Sequence, residues 1–147
     1  MGTRSTYRII EENLIGKKVK KIKQEPLCLI YFQYDGYPSG HPIQTAEWLA
    51  SGKVVNGYGS SDQLQFNGAG CLAAQMVAKF KDGVGNVYIQ PLSSRGESWE
   101  DYLYDILIKQ DSSIEYVCYE NGETPTEIFR GTPSEFVEKY QKNEVEA

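Results

Sequence analysis

A single histidine, His41, closes the run Tyr34-Asp35-Gly36-Tyr37-Pro38-Ser39-Gly40-His41, and it is the one side chain of the chain whose ordinary pKa suits proton transfer near neutrality. Three roles are open to it: a hydrogen bond that locks the loop, a donor to an anionic ligand, or a proton-transfer group oriented by Asp35. Asp35 itself reads either as the anchor of an Asx turn or as a group that acts on a ligand. Tyr34 and Tyr37 bracket it, and their faces could stack on a flat ring or cover a sheet edge. If the chain were an enzyme, His41 and Asp35 would be its catalytic pair, but nothing in the sequence requires turnover. A lone imidazole removes every metal centre that needs two. The three cysteines, Cys28, Cys71 and Cys118, lack close ligand spacing, so neither a metal nor a cofactor is expected.

A second cluster begins with Gly57-Tyr58-Gly59 and continues in Phe66-Asn67-Gly68-Ala69-Gly70-Cys71. Asn67, Gly68 and Gly70 precede a helical pattern, where free amides and the helix dipole favour a negative group, although a plain helix cap accounts for them too. No Gly-Lys-Ser/Thr ending follows and the full dinucleotide fingerprint is absent, so magnesium-assisted nucleotide hydrolysis has no support. Gln75 lies just over a turn further on, while Tyr58 and Phe66 are candidate walls. Arg4 could hold a phosphate or carboxylate bidentately, or pair with Asp35 inside the chain. Cys71 at a helix start has a setting that lowers a thiol pKa, but a buried or capping thiol is the simpler reading. Taken together, Arg4, Tyr34, Asp35, Tyr37, His41, Asn67, Gly68, Gly70 and Gln75 are the candidate ligand-binding residues, provided the two glycine clusters meet.

The elements that must position them follow from apolar spacing and breakers. Residues 6–10 are β-prone and are expected to pair with residues 19–22 in an opening hairpin. Residues 27–33, the most apolar short run, read as a central strand that delivers the first cluster. Pro42 opens a helix that Gly52 ends, and residues 71–80 form the best helix, with Leu72, Met76 and Phe80 on one face. Residues 86–90 read as a strand, and residues 102–108 and 114–119 as a hairpin. Asn121-Gly122 then turns the chain toward residues 127–129. A final helix opens at Pro133, capped by Thr132 or Ser134 with Glu135 nearby. The expected fold is a single α+β domain over residues 1–147, a mainly antiparallel central sheet with two or three helices packed on one face.

Composition narrows the classes of function. A formal charge of −5, from 15 Lys and Arg against 20 Asp and Glu, argues against a general grip on nucleic acid. The one basic run, Lys17, Lys18, Lys20, Lys21 and Lys23, is broken by Val19 and Ile22 and suits an exposed strand protected by lysines. An odd number of cysteines suits a reducing compartment, and no apolar window approaches a membrane span, so a cytoplasmic protein without membrane contact is expected. A homodimer through an aromatic edge strand is a further expectation.

The opening Met1-Gly2-Thr3-Arg4-Ser5, the stretch Gln33-Tyr34-Asp35-Gly36-Tyr37-Pro38-Ser39-Gly40-His41 and the stretch Phe66-Asn67-Gly68-Ala69-Gly70-Cys71-Leu72-Ala73-Ala74-Gln75 resemble a family of small phage, prophage and bacterial proteins. In that family the position of Ala69 often holds another small or apolar residue. The resemblance implies a phage association and brings no established activity. It makes two binding roles the expectations: uptake of an anionic small molecule, such as a host defence nucleotide sequestered without turnover, or inhibition of a host defence protein through surface contact. A small enzyme acting on a nucleotide or phosphoester is the third class.

Overall fold

The computed structural model describes residues 2–18, 21–57, 59 and 62–146, with side chains followed to residue 141. Met1, Val19, Lys20 and Tyr58, named above, lie outside the described residues. The chain runs through β1 (Ser5–Ile15), β2 (Lys21–Phe32), α1 (His41–Ala50), β3 (Gly52–Val55), β4 (Leu64–Asn67), α2 (Gly68–Phe80), β5 (Val87–Gln90), a 3₁₀ turn (Leu92–Ser94), β6 (Tyr102–Ile108), β7 (Ile114–Asn121), β8 (Pro125–Gly131) and α3 (Pro133–Glu146). Six strands form one sheet in the order β5-β2-β1-β6-β7-β8, antiparallel throughout except for the central β1–β6 pair, and β3 and β4 make a small parallel pair. This is the expected α+β architecture.

Strict alternation along the central strands decides which face is packed. Tyr7 and Ile9 of β1, Ile30 and Phe32 of β2, Tyr104 and Ile106 of β6 and Tyr116 and Cys118 of β7 point to the helices. There they bury Ile43, Ala46 and Leu49 of α1, Leu72, Ala73 and Met76 of α2, and Phe136 of α3. The opposite face carries Arg8, Tyr31, Asp105 and Tyr119 and is crossed by the segment 91–101. Two arginines meet one carboxylate on it. Arg8 Nε and Nη2 donate to Asp105 at 3.0 and 2.9 Å, and Arg95 Nη2 donates to the same carboxylate at 3.4 Å.

The opening hairpin is longer than expected and in a different register. Residues 6–10 pair with residues 26–31, not with residues 19–22, because β2 continues through Pro26 into the apolar run. A register shift between Ile9 and Ile10 opposite Pro26 accommodates the proline, whose missing N–H is tolerated where one side of a strand has no neighbour. The α3 cap forms as a reciprocal box: Glu135 N–H donates to Thr132 Oγ1 at 3.1 Å, and Thr132 N–H donates to Glu135 Oε1 at 2.9 Å. At the sheet edge formed by β5, Lys81 Nζ donates to the carbonyls of Gly85 and Val87, both at 2.8 Å, and so occupies strand-edge acceptors that another strand could otherwise use.

Candidate ligand cleft

The loop 33–40 and the start of α1 are held from beneath by three tyrosines. Tyr104 OH donates to the Gly36 carbonyl at 2.7 Å, Tyr116 OH donates to the Pro42 carbonyl at 3.0 Å, and Tyr7 OH lies 3.0 Å from His41 Nε2. Burial pushes all three phenols up from their ordinary range, so each keeps its proton and stays a donor. Asp35 takes a left-handed backbone, φ 57°, which aspartate tolerates better than most residues, and its carbonyl accepts the His41 N–H at 2.9 Å. Gly36 and Gly40 are needed here for room. A Cβ on Gly36 would lie 2.6 Å from Ser5 Cβ, and one on Gly40 would collide with the Asp35 carbonyl oxygen.

His41 opens α1 and packs into the core, its ring stacked on Phe32 with centroids 3.9 Å apart. Thr45 Oγ1 donates to the His41 carbonyl at 3.4 Å and lies 3.2 Å from Nδ1. A threonine hydroxyl that spends its proton on the carbonyl accepts from Nδ1–H, which leaves Nε2 to accept from Tyr7. Burial holds the His41 pKa down at about 3, so the ring is neutral. Of the three roles open to it, these contacts with Tyr7 and Thr45 are the kind the loop-locking one calls for. A depression of about 350 Å³ does lie over His41, Asp35, Tyr37 and Ser39, with Glu47 on its wall.

The second glycine cluster lies elsewhere. Asn67 and Gly68 line a cleft of about 400 Å³ together with Glu11, Glu12 and Asn13 of β1. His41 contacts Tyr7 on that strand, and four residues of extended chain separate Tyr7 from Glu11, about 13 Å at 3.3 Å per residue. Asn67 does not cap α2; its Oδ1 accepts the Gly57 N–H at 2.8 Å and closes the preceding loop. Gln75 joins α2 to β4, with Nε2 donating to the Gln65 carbonyl at 3.0 Å while its Oε1 accepts from Cys71 Sγ. Gly70 is exposed on the first turn. The carboxylates of Glu11 and Glu12 set the charge of this cleft against an anion at the helix start.

Arg4 occupies a third place. With Tyr31, Gln33, Tyr88, Gln90, Glu97, Ser98 and Trp99 it lines a cleft of about 390 Å³ beside the sheet edge formed by β5. Arg4 and Asp35 do not form the internal pair that the sequence left open. The other three arginines are all committed, Arg8 and Arg95 to Asp105 and Arg130 to Glu115 and Glu127; among the described residues the Arg4 guanidinium has no acidic partner. Tyr34, half-exposed, packs its ring against Gly2 on the same N-terminal segment.

Trp99 went unnoticed in the sequence. Its side chain is 83% exposed and its backbone sits in the left-handed region at φ 64°, a costly conformation for a bulky residue. The cause is the next residue. Glu100 is buried, and its carboxylate accepts the Thr6 hydroxyl at 3.1 Å, the Gly96 N–H at 2.6 Å and the Ser98 N–H. Wrapping the loop around that carboxylate forces Trp99 outward at the cleft mouth. Tyr31 and Tyr88, paired across β2 and β5 with centroids 5.8 Å apart, form the aromatic floor, and Gln33 and Gln90 supply amide edges. The legible signal was a tryptophan placed between serine and glutamate in a polar loop, where no core can claim it.

The candidate residues therefore divide among three clefts: Asp35, Tyr37 and His41 in one, Asn67 and Gly68 in another, Arg4 in the third. Among the described residues no helix is long and apolar enough to cross a membrane, and no group of three or more metal-ligating side chains gathers. Comparison of the chain with protein-family models, with curated proteins and with solved structures finds no match.

Proposed function

We propose that the chain binds a small anionic molecule with a flat ring, of the nucleotide class, without converting it, in the cleft of Arg4, Tyr31, Tyr88 and Trp99. The observation that carries this reading is the Arg4 guanidinium, the one arginine left without an acidic partner among the described residues, set beside three aromatic side chains. Guanidinium for phosphate or carboxylate, rings for stacking and the amides of Gln33 and Gln90 for a polar edge are the elements nucleotide recognition uses. The volume of about 390 Å³ falls in the range of small-molecule sites. Glu97 on the rim opposes a large negative charge and favours one phosphate over three.

Binding without turnover is supported by the state of His41, which is neutral, committed to Tyr7 and Thr45, and in another cleft. The phage resemblance makes a defence nucleotide the first ligand to try. A second reading, inhibition of a host protein through contact, draws on Ile89, 70% exposed on the edge strand β5, on the sheet face opposite Tyr88. Calorimetry of the full chain against linear and cyclic nucleotides tests the proposal, with Trp99 emission followed in Trp48→Phe, which leaves one indole. One-to-one uptake with changed emission and no product is expected. Arg4→Ala should weaken uptake roughly tenfold to a hundredfold, the worth of a charged hydrogen bond. Silence across the panel in both heat and emission overturns the reading; capture of a host protein that survives Arg4→Ala but not Ile89→Asp favours the second.

A further inference from the structure

β1 pairs with β6 only as far as Glu11, and β2 pairs with β5 only from Leu29, so the hairpin beyond these points is a two-stranded arm. Its rows are Glu12 with Gln24, Asn13 with Lys23, Leu14 with Ile22, and Ile15 with Lys21. Leu14, Ile15 and Ile22 are 49, 43 and 57% exposed, although an arm that served only to join two strands would have no use for apolar residues at its end. Between Asn13 and Gln24 the sequence holds five lysines and no acid; since the whole chain carries −5, the remainder carries −10. The arm extends about 14 Å past the sheet at 3.4 Å per residue. That exceeds the screening length of about 8 Å in physiological salt, so the lysines of its far end feel little of the acidic body behind them.

The complement of this arm is present at its own base. The cleft of about 400 Å³ there has Glu11 and Glu12 on its wall and Val54 and Val55 on its floor. Neither glutamate has an ion-pair partner among the described residues, and Lys109, the cation lining the same cleft, is engaged with Glu115 at 3.6 Å. Glu11 also stands directly opposite Glu25 across the hairpin, a like-charge pairing that Lys23, 3.8 Å from Glu25, relieves on one side only. Two unpaired carboxylates over valines match exposed lysines flanking a leucine and two isoleucines. Glu12, Asn13 and Leu14 of the arm's own first rows line this cleft, but its far end cannot fold back onto it, because the strands stay paired through Ile15 and Lys21.

We infer that the occupant of each cleft is the arm of a second copy of this chain, the two arms exchanged about a two-fold axis. Lys21 and Lys23 of one copy then neutralise Glu11 and Glu12 of the other, Lys23 exchanging its exposed pair with Glu25 for the new one, and Ile22 covers Val54 and Val55 beside the Leu14 already at the rim. Reciprocal exchange closes the assembly at two copies.

Light scattering after size exclusion and sedimentation of the full chain test this. The wild type is expected to be a dimer at low salt and to lose the dimer toward 1 M salt, where the screening length falls to about 3 Å. Lys21→Glu with Lys23→Glu should be monomeric, as should Glu11→Lys with Glu12→Lys, both folded by circular dichroism since the altered residues lie on the surface. Mixing the two charge-reversed chains should restore a one-to-one heterodimer. A wild type that stays monomeric at high concentration and low salt overturns the inference, as does a dimer indifferent to both substitutions. A monomer that instead shifts DNA through the same lysines overturns it in favour of a polyanion.

Discussion

The Tyr7 hydroxyl and His41 Nε2 lie 3.0 Å apart, in a setting whose burial keeps the only imidazole of the chain neutral. The folded-state pKa of about 3 is below the ordinary value of 6.5, so between these the unfolded chain binds the extra proton. Stability from this source is fully present above pH 6.5 and is lost as the pH falls toward 3. Melting temperatures of the wild type and of His41→Gln, measured from pH 8 to pH 4, should therefore converge as the pH drops. Parallel curves would show that His41 is not the acid-sensitive group.

The glycines of the two clusters differ in what they permit. Gly40→Ala places a methyl against the Asp35 carbonyl, backbone that cannot step aside, and should cost about 2 kcal/mol or more in urea unfolding. A Cβ on Gly70, in the first turn of α2, meets nothing within 4 Å. Gly70→Ala should stabilise the fold by about 0.5–1 kcal/mol, the usual helical preference for alanine. If both substitutions destabilised alike, the second cluster would also be tightly packed.

Asp105 holds two guanidiniums with a side chain only 5% exposed. Asp105→Asn should cost about 2 kcal/mol, less than for a fully buried pair because Arg8 remains about a third open to solvent. Glu127→Gln, at an exposed pair with Arg130, should change the unfolding midpoint hardly at all. Equal effects would contradict the difference in burial.

Cys118 is buried among the tyrosines, and loss of solvation pushes its thiol up to about 12. In native protein at pH 8 it should resist a thiol reagent, and labelling should appear only under denaturing conditions. Mass spectrometry of the labelled peptides distinguishes it from the half-buried Cys28 and Cys71. Fast native labelling at Cys118 would mean that this part of the sheet opens readily.

Alternation, Pro42, Thr132 with Glu135, and the glycine breaks were local signals, and through them the helices and most strands were legible in the sequence. The hairpin register was not, because Pro26 reads locally as a strand end and only its place opposite a register shift makes it tolerable within β2. β3 and β4, four residues each, are too short for a period to show. For the clefts the difficulty was one of distance. Glycine density drew attention to His41 and Asn67, yet the glycines at 36 and 40 serve close packing, and Asn67 serves a loop. Arg4 was legible as a candidate, whereas its surroundings, Tyr31, Tyr88 and Trp99, come from three separate segments that only the sheet order brings together.

The parallel pairing of β1 with β6 fixes the order of events during synthesis. β1 leaves the ribosome well before β6, yet it lies in the middle of the sheet, and its Arg8 awaits Asp105, 97 residues downstream. Until that later stretch emerges, the nascent chain has one finished flank, the β1–β2 hairpin, and an unpaired seam along the Ser5–Glu11 edge of β1. Closure of so distant a pairing is slow, so this seam is where a chaperone would take hold and where a truncated product would aggregate.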